Sequence, residues 1–154
     1  ARANPQWQHL KDGARALVVF QGPDAYVTPS WYAAKKEHGK VVPTWNYAMV
    51  QVRGAVTVQE EPEWLLPQIT ALTQAHASTR AEPWAVSDAP ERYIAMQMRA
   101  IVGIEIAIED IRGKWKVSQN RSGADQSGVV AGMDADGVAD MAALVRQFGK
   151  TDPA

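Results

Sequence analysis

The sequence predicts an α+β protein, best accommodated as a small antiparallel β-barrel with peripheral helices. Three observations lead there. The stretches 41–60 and 101–111 both alternate apolar and polar residues with period two. Helical patterns fall between and after these stretches and do not alternate with short buried strands, which argues against a parallel doubly wound sheet. The composition is that of one folded domain: 154 residues, 46% hydrophobic and 21% charged. That excludes a disordered or collagen-like chain.

The elements follow in order. Leu17-Val18-Val19-Phe20 is an apolar run closed by Gly22-Pro23, a turn signal. Ala25-Tyr26-Val27-Thr28 reads as a second short strand ending at Pro29. In 41–60, Ala48, Val50 and Val52 point one way, and Tyr47, Met49, Gln51 and Arg53 the other. Gly54 marks a bend or bulge there. Both 17–21 and 41–52 are apolar enough to be interior strands.

A helix over 63–78 is announced by Pro62-Glu63 and carried by Leu65, Ile69, Leu72 and His76. Pro67 implies a kink or a late start. Asp88-Ala89-Pro90-Glu91 has a capping-box pattern for a helix over 90–100, with Ile94 and Met98 on one face. In 101–111, Val102, Ile104, Ile106 and Ile108 are expected to face the core, with Glu105 and Glu109 facing away. Residues 114–117 read as one more short strand after Gly113. Ser122 heads a helix over 124–133. Val138, Met141, Val145 and Phe148 form the stripe of a last helix, 138–148, that Gly149 ends. The whole reads as a single domain over 1–154, with a helical extension at 122–150.

Several function classes are excluded or disfavoured. Sixteen Lys and Arg against 17 Asp and Glu give a net charge of −1, without the basic excess of a general nucleic-acid binder. The absence of cysteine removes disulfides, thiolate metal sites and Cys nucleophiles. No apolar run approaches the ~20 residues of a membrane span. No signal-peptide pattern opens the sequence, so a cytoplasmic location is expected. Neither a dinucleotide fingerprint nor a P-loop occurs. His9, His38 and His76 stand far apart, and no metal site is expected.

Three clusters can carry chemistry. Tyr26 to Lys36 combines aromatics, hydroxyls and a lysine pair just after a strand. It offers a stacking surface, a hydroxyl and fixed positive charge, as a phosphate-bearing aromatic cofactor requires. The alternative is a solvated turn with Trp31 closing the core. In Val42-Pro43-Thr44-Trp45-Asn46-Tyr47, Asn46 lies between two aromatics. It serves either to read a heterocycle edge or to pair with a neighbouring loop. Lys114 to Arg121 holds three cations, a Trp and three neutral polar side chains. It serves either as an anion or flavin contact or as a lysine-guarded edge strand running into a turn.

Together these stretches resemble the PaiB family, also called FMN-binding negative transcriptional regulators. Phe20-Gln21-Gly22-Pro23, Tyr26 to Tyr32, Lys35-Lys36, Val42 to Tyr47, Trp84 to Pro90, Ile101 to Ile106 and Lys114 to Arg121 carry the resemblance. It runs in collinear order from Asn4 to about Met133. Pro67 is the one noted departure. The resemblance implies an FMN-binding split β-barrel, homodimeric, bacterial, with FMN in a groove at the dimer interface. It implies Ser30, Trp31, Lys35 and Lys36 near the FMN phosphate. Thr44, Trp45 and Asn46 would lie near the isoalloxazine ring, and Lys116, Ser118, Gln119 and Arg121 would add a polar contact. No catalytic residue is assigned.

The resemblance also implies further strands before Ala1. A closed barrel of about six strands needs more chain than this, and about 40–60 N-terminal residues are expected to be missing. The expected function is that of a PaiB-like, FMN-binding negative transcriptional regulator acting as a dimer. DNA contact is expected only by family analogy, since no helix carries a basic stripe. The alternatives are an FMN-dependent oxidoreductase, like pyridoxamine phosphate oxidases and flavin reductases, or a haem-binding split barrel.

Overall fold

Three long strands organise the chain. The computed structural model describes residues 1–10 and 13–149. In it β1 (Arg15–Val27), β2 (Thr44–Gln59) and β3 (Gly103–Lys116) form one sheet in the order β1-β2-β3. Ala14 pairs with Val56 (2.9 Å) and Gly22 lies against Ala48, so β1 and β2 run antiparallel. The α+β class stands. The sheet is open, however: among the described residues it has three strands, too few to tilt and close into the expected barrel.

Two of these strands are longer than the sequence suggested. The segments around Leu17–Phe20 and Ala25–Thr28 are one strand, and so are those on either side of Gly113. Gly22-Pro23 does not end β1, because a proline on an edge strand can face away from the ladder at a bulge. The burial pattern shows the bulge. Partly buried residues fall on Ala16 and Val18 before Pro23, and buried ones on Ala25 and Val27 after it. A change of phase by one residue is what a single inserted residue produces. Beyond it Tyr26 meets Trp45, where unbroken register would bring Thr44.

β3 corrects a second expectation. Ile104 and Ile108 are 38% and 63% exposed and do not face a core. Leu17, Val19 and Phe20 on β1 are also exposed. Period-two alternation creates an apolar face, but burial requires a second layer over it. On central β2, Ala48 and Val52 are buried, and Val50 on the same face is half-buried.

The described residues also form five α-helices, α1 (Ala34–Glu37), α2 (Pro62–Ala77), α3 (Glu91–Met98), α4 (Gly123–Ala135) and α5 (Ala139–Phe148), and three short 3-10 helices. α2 starts at Pro62 and passes through Pro67 without a late start. Asp88 accepts from Ala85 N at 2.9 Å, so it closes a 3-10 turn (Val86–Asp88) and does not cap α3. Pro90 stands before α3 with no side-chain cap. The Ser122 hydroxyl accepts from Asp125 N at 3.2 Å and caps α4 as expected.

The chain divides into two compact units. The first joins Ala1–Leu17 with Val52–Asp110 and buries Val52, Val56, Leu65, Val86 and Met98. Arg2 anchors its start, donating to Glu60 at 2.6 Å and to the Arg99 carbonyl at 3.0 Å. The second joins Val18–Gln51 with the chain from Ile111 onward. Its core gathers Val27, Tyr32, Val117, Val129, Met133, Met141 and Val145. Each such side chain contributes ~1.5–3 kcal/mol by burial. α4 and α5 supply much of this core, and Gly137 (φ +76°) turns the chain between them.

Candidate functional site

All three sequence clusters fall in the second unit. The first is built from the turn upward. The Thr28 hydroxyl accepts from Ser30 N at 3.3 Å and opens a 3-10 turn, Pro29–Trp31. The Ser30 hydroxyl accepts from Lys35 Nζ at 3.0 Å. Lys35 and Lys36 ride on α1, exposed to solvent. From below, the buried Asp125 carboxylate of α4 accepts the Ala34 N–H at 3.0 Å and fixes α1 in place.

Trp31 takes a different part. A Cβ at Gly128 would strike the Trp31 carbonyl, and one at Gly132 would strike its indole. The two glycines, one turn apart on α4, form a slot for Trp31. The structure thus places Trp31 against the helix layer, while Ser30, Lys35 and Lys36 remain accessible.

The second and third clusters interlock. Lys116 Nζ donates to Thr44 Oγ1 and, at 2.8 Å, to the Trp45 carbonyl. It also lies 6.0 Å from the Tyr47 ring centroid. Trp45 is 54% exposed and meets Tyr26 edge-on, centroids 6.0 Å apart. Asn46, on the opposite side of β2, is fully buried. Its Nδ2 donates to Ser118 Oγ at 2.9 Å, and Ser118 Oγ donates back to Asn46 Oδ1 at 3.3 Å.

Ser118 sits at φ +65°, a left-handed conformation that costs a non-glycine residue ~1–3 kcal/mol. Its neighbours hold it there. Gln119 binds its own turn, accepting from Val117 N at 2.8 Å and donating to the Trp115 carbonyl at 2.7 Å. Gln126 of α4, fully buried, donates to the carbonyls of Ser118 (3.0 Å) and Arg121 (2.9 Å). The Arg121 guanidinium lies 4.3 Å from the Tyr32 ring centroid.

Sequence reading missed Asp125, Gln126 and Tyr32. Tyr32 lies within the Tyr26 to Lys36 cluster and Asp125 stands three residues after the capping Ser122, whereas Gln126 carried no signal. The predicted residues sort into groups: Ser30 with Lys35; Thr44 and Trp45 with Lys116; Asn46 with Ser118; Arg121 with Tyr32; Gln119 with its own backbone; Trp31 with α4. No hydrogen bond among the described residues joins the Ser30–Lys35 pair to the Thr44–Lys116 pair. Beside Trp45 lies a cavity of about 390 Å³, lined by Gln21 and Asp24 of β1 and by Trp45 to Met49 of β2. Chemically, the unit presents hydroxyl–ammonium pairs suited to an anion and an exposed aromatic surface suited to a flat ring.

The family described as "Putative FMN-binding domain" matches residues 1–110. An uncharacterized protein of Aspergillus fumigatus is 41% identical over 150 residues, covering 86% of this chain and 57% of the relative. One from Emericella nidulans is 39% identical over 148 residues, covering 87% and 59%. "Protease synthase and sporulation protein PAI 2" of Bacillus subtilis is 34% identical over 130 residues, covering 84% and 60%. The chain therefore spans less than two thirds of the length of these relatives, and they include fungal as well as bacterial proteins. On the family match and the shared residues, the chain belongs to the PaiB-like family of FMN-binding domains, and FMN is the cofactor that this membership implies.

Proposed function

We propose that this chain binds FMN through its second unit and works as a dimeric, PaiB-like regulator on a split-barrel scaffold. The observation that carries the reading is the family match over residues 1–110. The name of the Bacillus subtilis relative, which ties that protein to protease synthesis and sporulation, supports a regulatory role.

The residues present fit the cofactor. Ser30 with Lys35, and the exposed Lys36, offer the hydroxyl and ammonium donors that a phosphate monoester takes. Trp45 offers an exposed indole, and Lys116 a cation already aligned by Thr44. Asn46 and Ser118 support this strand from its buried side. When bound, FMN supplies a redox-active ring; the protein binds, orients and shields it. A second copy is the proposed cover for Trp45 and for exposed Leu17, Val19 and Phe20. A net charge of −1 gives no broad basic surface, so DNA contact is proposed through the dimer or a partner.

A second reading, an FMN-dependent oxidoreductase, is favoured by one observation: the cavity beside Trp45 has room for another small molecule. One experiment separates the readings. The purified protein is mixed with FMN, desalted, and its absorption spectrum and light-scattering mass are recorded. A retained flavin band on a dimer, with no turnover when a nicotinamide donor is added, supports the regulator. Bleaching with turnover supports the oxidoreductase. A Soret band after haem addition, with no flavin retained, overturns both.

A further inference from the structure

We propose that the cavity beside Trp45 is a binding site for a small organic cation, an ammonium group carried on a flat apolar body, with Asp24 as its charge partner. The proposal deepens the flavin reading, on which it rests for what lies next to the cavity.

The cavity follows from the bulge in β1. One inserted residue between Gly22 and Tyr26 shifts the register, so Gln21 and Asp24 both reach the space in front of Trp45 and Tyr47. Bulges re-aim side chains in this way, and they concentrate beside binding sites. Gln21 Nε2 donates to Asp24 Oδ2 at 2.8 Å. This bond fixes the carboxylate and occupies one of its oxygens. The other oxygen has no hydrogen-bond partner among the described residues, and an ionised carboxylate can accept about four such bonds.

The rest of the wall has matching character. Trp45 offers an aromatic surface, which attracts cations, whereas the Tyr47 ring already has Lys116 6.0 Å from its centroid. Met49 and Ala48 are apolar. Asp24 is the one charged residue of this lining. Lys116 is tied to Thr44 and the Trp45 carbonyl on the β3 side of the aromatic strip. Its charge opposes a cation at that end and so directs the ammonium group toward Asp24. The volume, about 390 Å³, lies in the range of small-molecule sites.

The test uses the chain in the presence of FMN, titrated calorimetrically with benzylamine, benzyl alcohol and benzoate. These share one ring and differ in charge. The expected result is benzylamine binding at least tenfold tighter than benzyl alcohol, with benzoate weakest. Asp24→Asn should bring benzylamine down to the alcohol's affinity and leave FMN affinity unchanged. Equal affinities for amine and alcohol, a preference that persists in Asp24→Asn, or benzoate as the tightest ligand would overturn the proposal. Loss of FMN affinity in Asp24→Asn without amine preference assigns the cavity to the flavin and overturns it while the flavin reading stands. Amine selectivity that depends on Asp24 in a chain that takes up no FMN upholds the site and sinks the flavin reading.

Discussion

Asn46 and Ser118, 72 positions apart in sequence, exchange two hydrogen bonds, both side chains buried. The pair ties the central strand to the turn that follows β3. It also completes the environment that keeps Ser118 left-handed. Of the residues proposed to meet FMN, Trp45 lies one position and Thr44 two from Asn46, and Lys116 lies two from Ser118. Their placement depends on this buried couple.

Asn46→Ala should therefore cost ~1–3 kcal/mol, because the Ser118 hydroxyl stays buried without its partner. Denaturant unfolding measures it. At Ser118 two variants separate hydrogen bond from backbone. Ser118→Ala loses the bond and keeps the strain; Ser118→Gly loses the bond and relieves it. Glycine should be the milder change by ~1 kcal/mol. An alanine variant as stable as the glycine one would show that φ +65° carries no strain.

Tyr32 supplies a prediction of opposite sign. Its hydroxyl is buried and has no hydrogen-bond partner among the described residues. Tyr32→Phe keeps the ring under Arg121 and removes that hydroxyl. It should be neutral or stabilising by up to ~1 kcal/mol. Tyr32→Leu, which removes the aromatic face as well, should destabilise by ~1–3 kcal/mol in the same measurement.

At Gly132 two effects compete. Alanine is the better helix former by ~1 kcal/mol. Against this, its Cβ would occupy the space of the Trp31 indole, and overpacking of that kind costs ~1–3 kcal/mol. Collision should win, so Gly132→Ala should lower the melting temperature. A raised melting temperature would mean that Trp31 can leave its slot freely.

Lys35→Ala tests the anion end. Loss of one charge-assisted bond, worth ~1.5–3 kcal/mol, should weaken FMN binding about tenfold or more. Flavin fluorescence titration reads it. Unchanged affinity would direct the phosphate to Lys116 and Arg121. Gln126→Leu offers a companion measurement: release of the Ser118 and Arg121 carbonyls should lower both stability and FMN affinity, although Gln126 belongs to α4.

Local chemistry in the sequence determined much of this protein. Period-two alternation placed β2 and put Ala48 and Val52 on one face, the face that is buried. Helical spacing placed α2 to α5 to within two residues at most ends. The Ser122 hydroxyl identified the start of α4, because a cap acts within one turn. Collinear motifs, among them Val42 to Tyr47 and Lys114 to Arg121, carried the family resemblance. Other features belong to tertiary structure alone. Ile104 and Ile108 have the alternation of core residues, yet burial depends on what lies over a face, which no local pattern encodes. Gly22-Pro23 reads as a turn until a partner strand holds both sides of it in one ladder. Trp31 reads as a stacking surface until Gly128 and Gly132, nearly a hundred residues on, open a slot for it. Gln126 has no signal at all, because the carbonyls it holds come together only when α4 packs beneath the turn after β3.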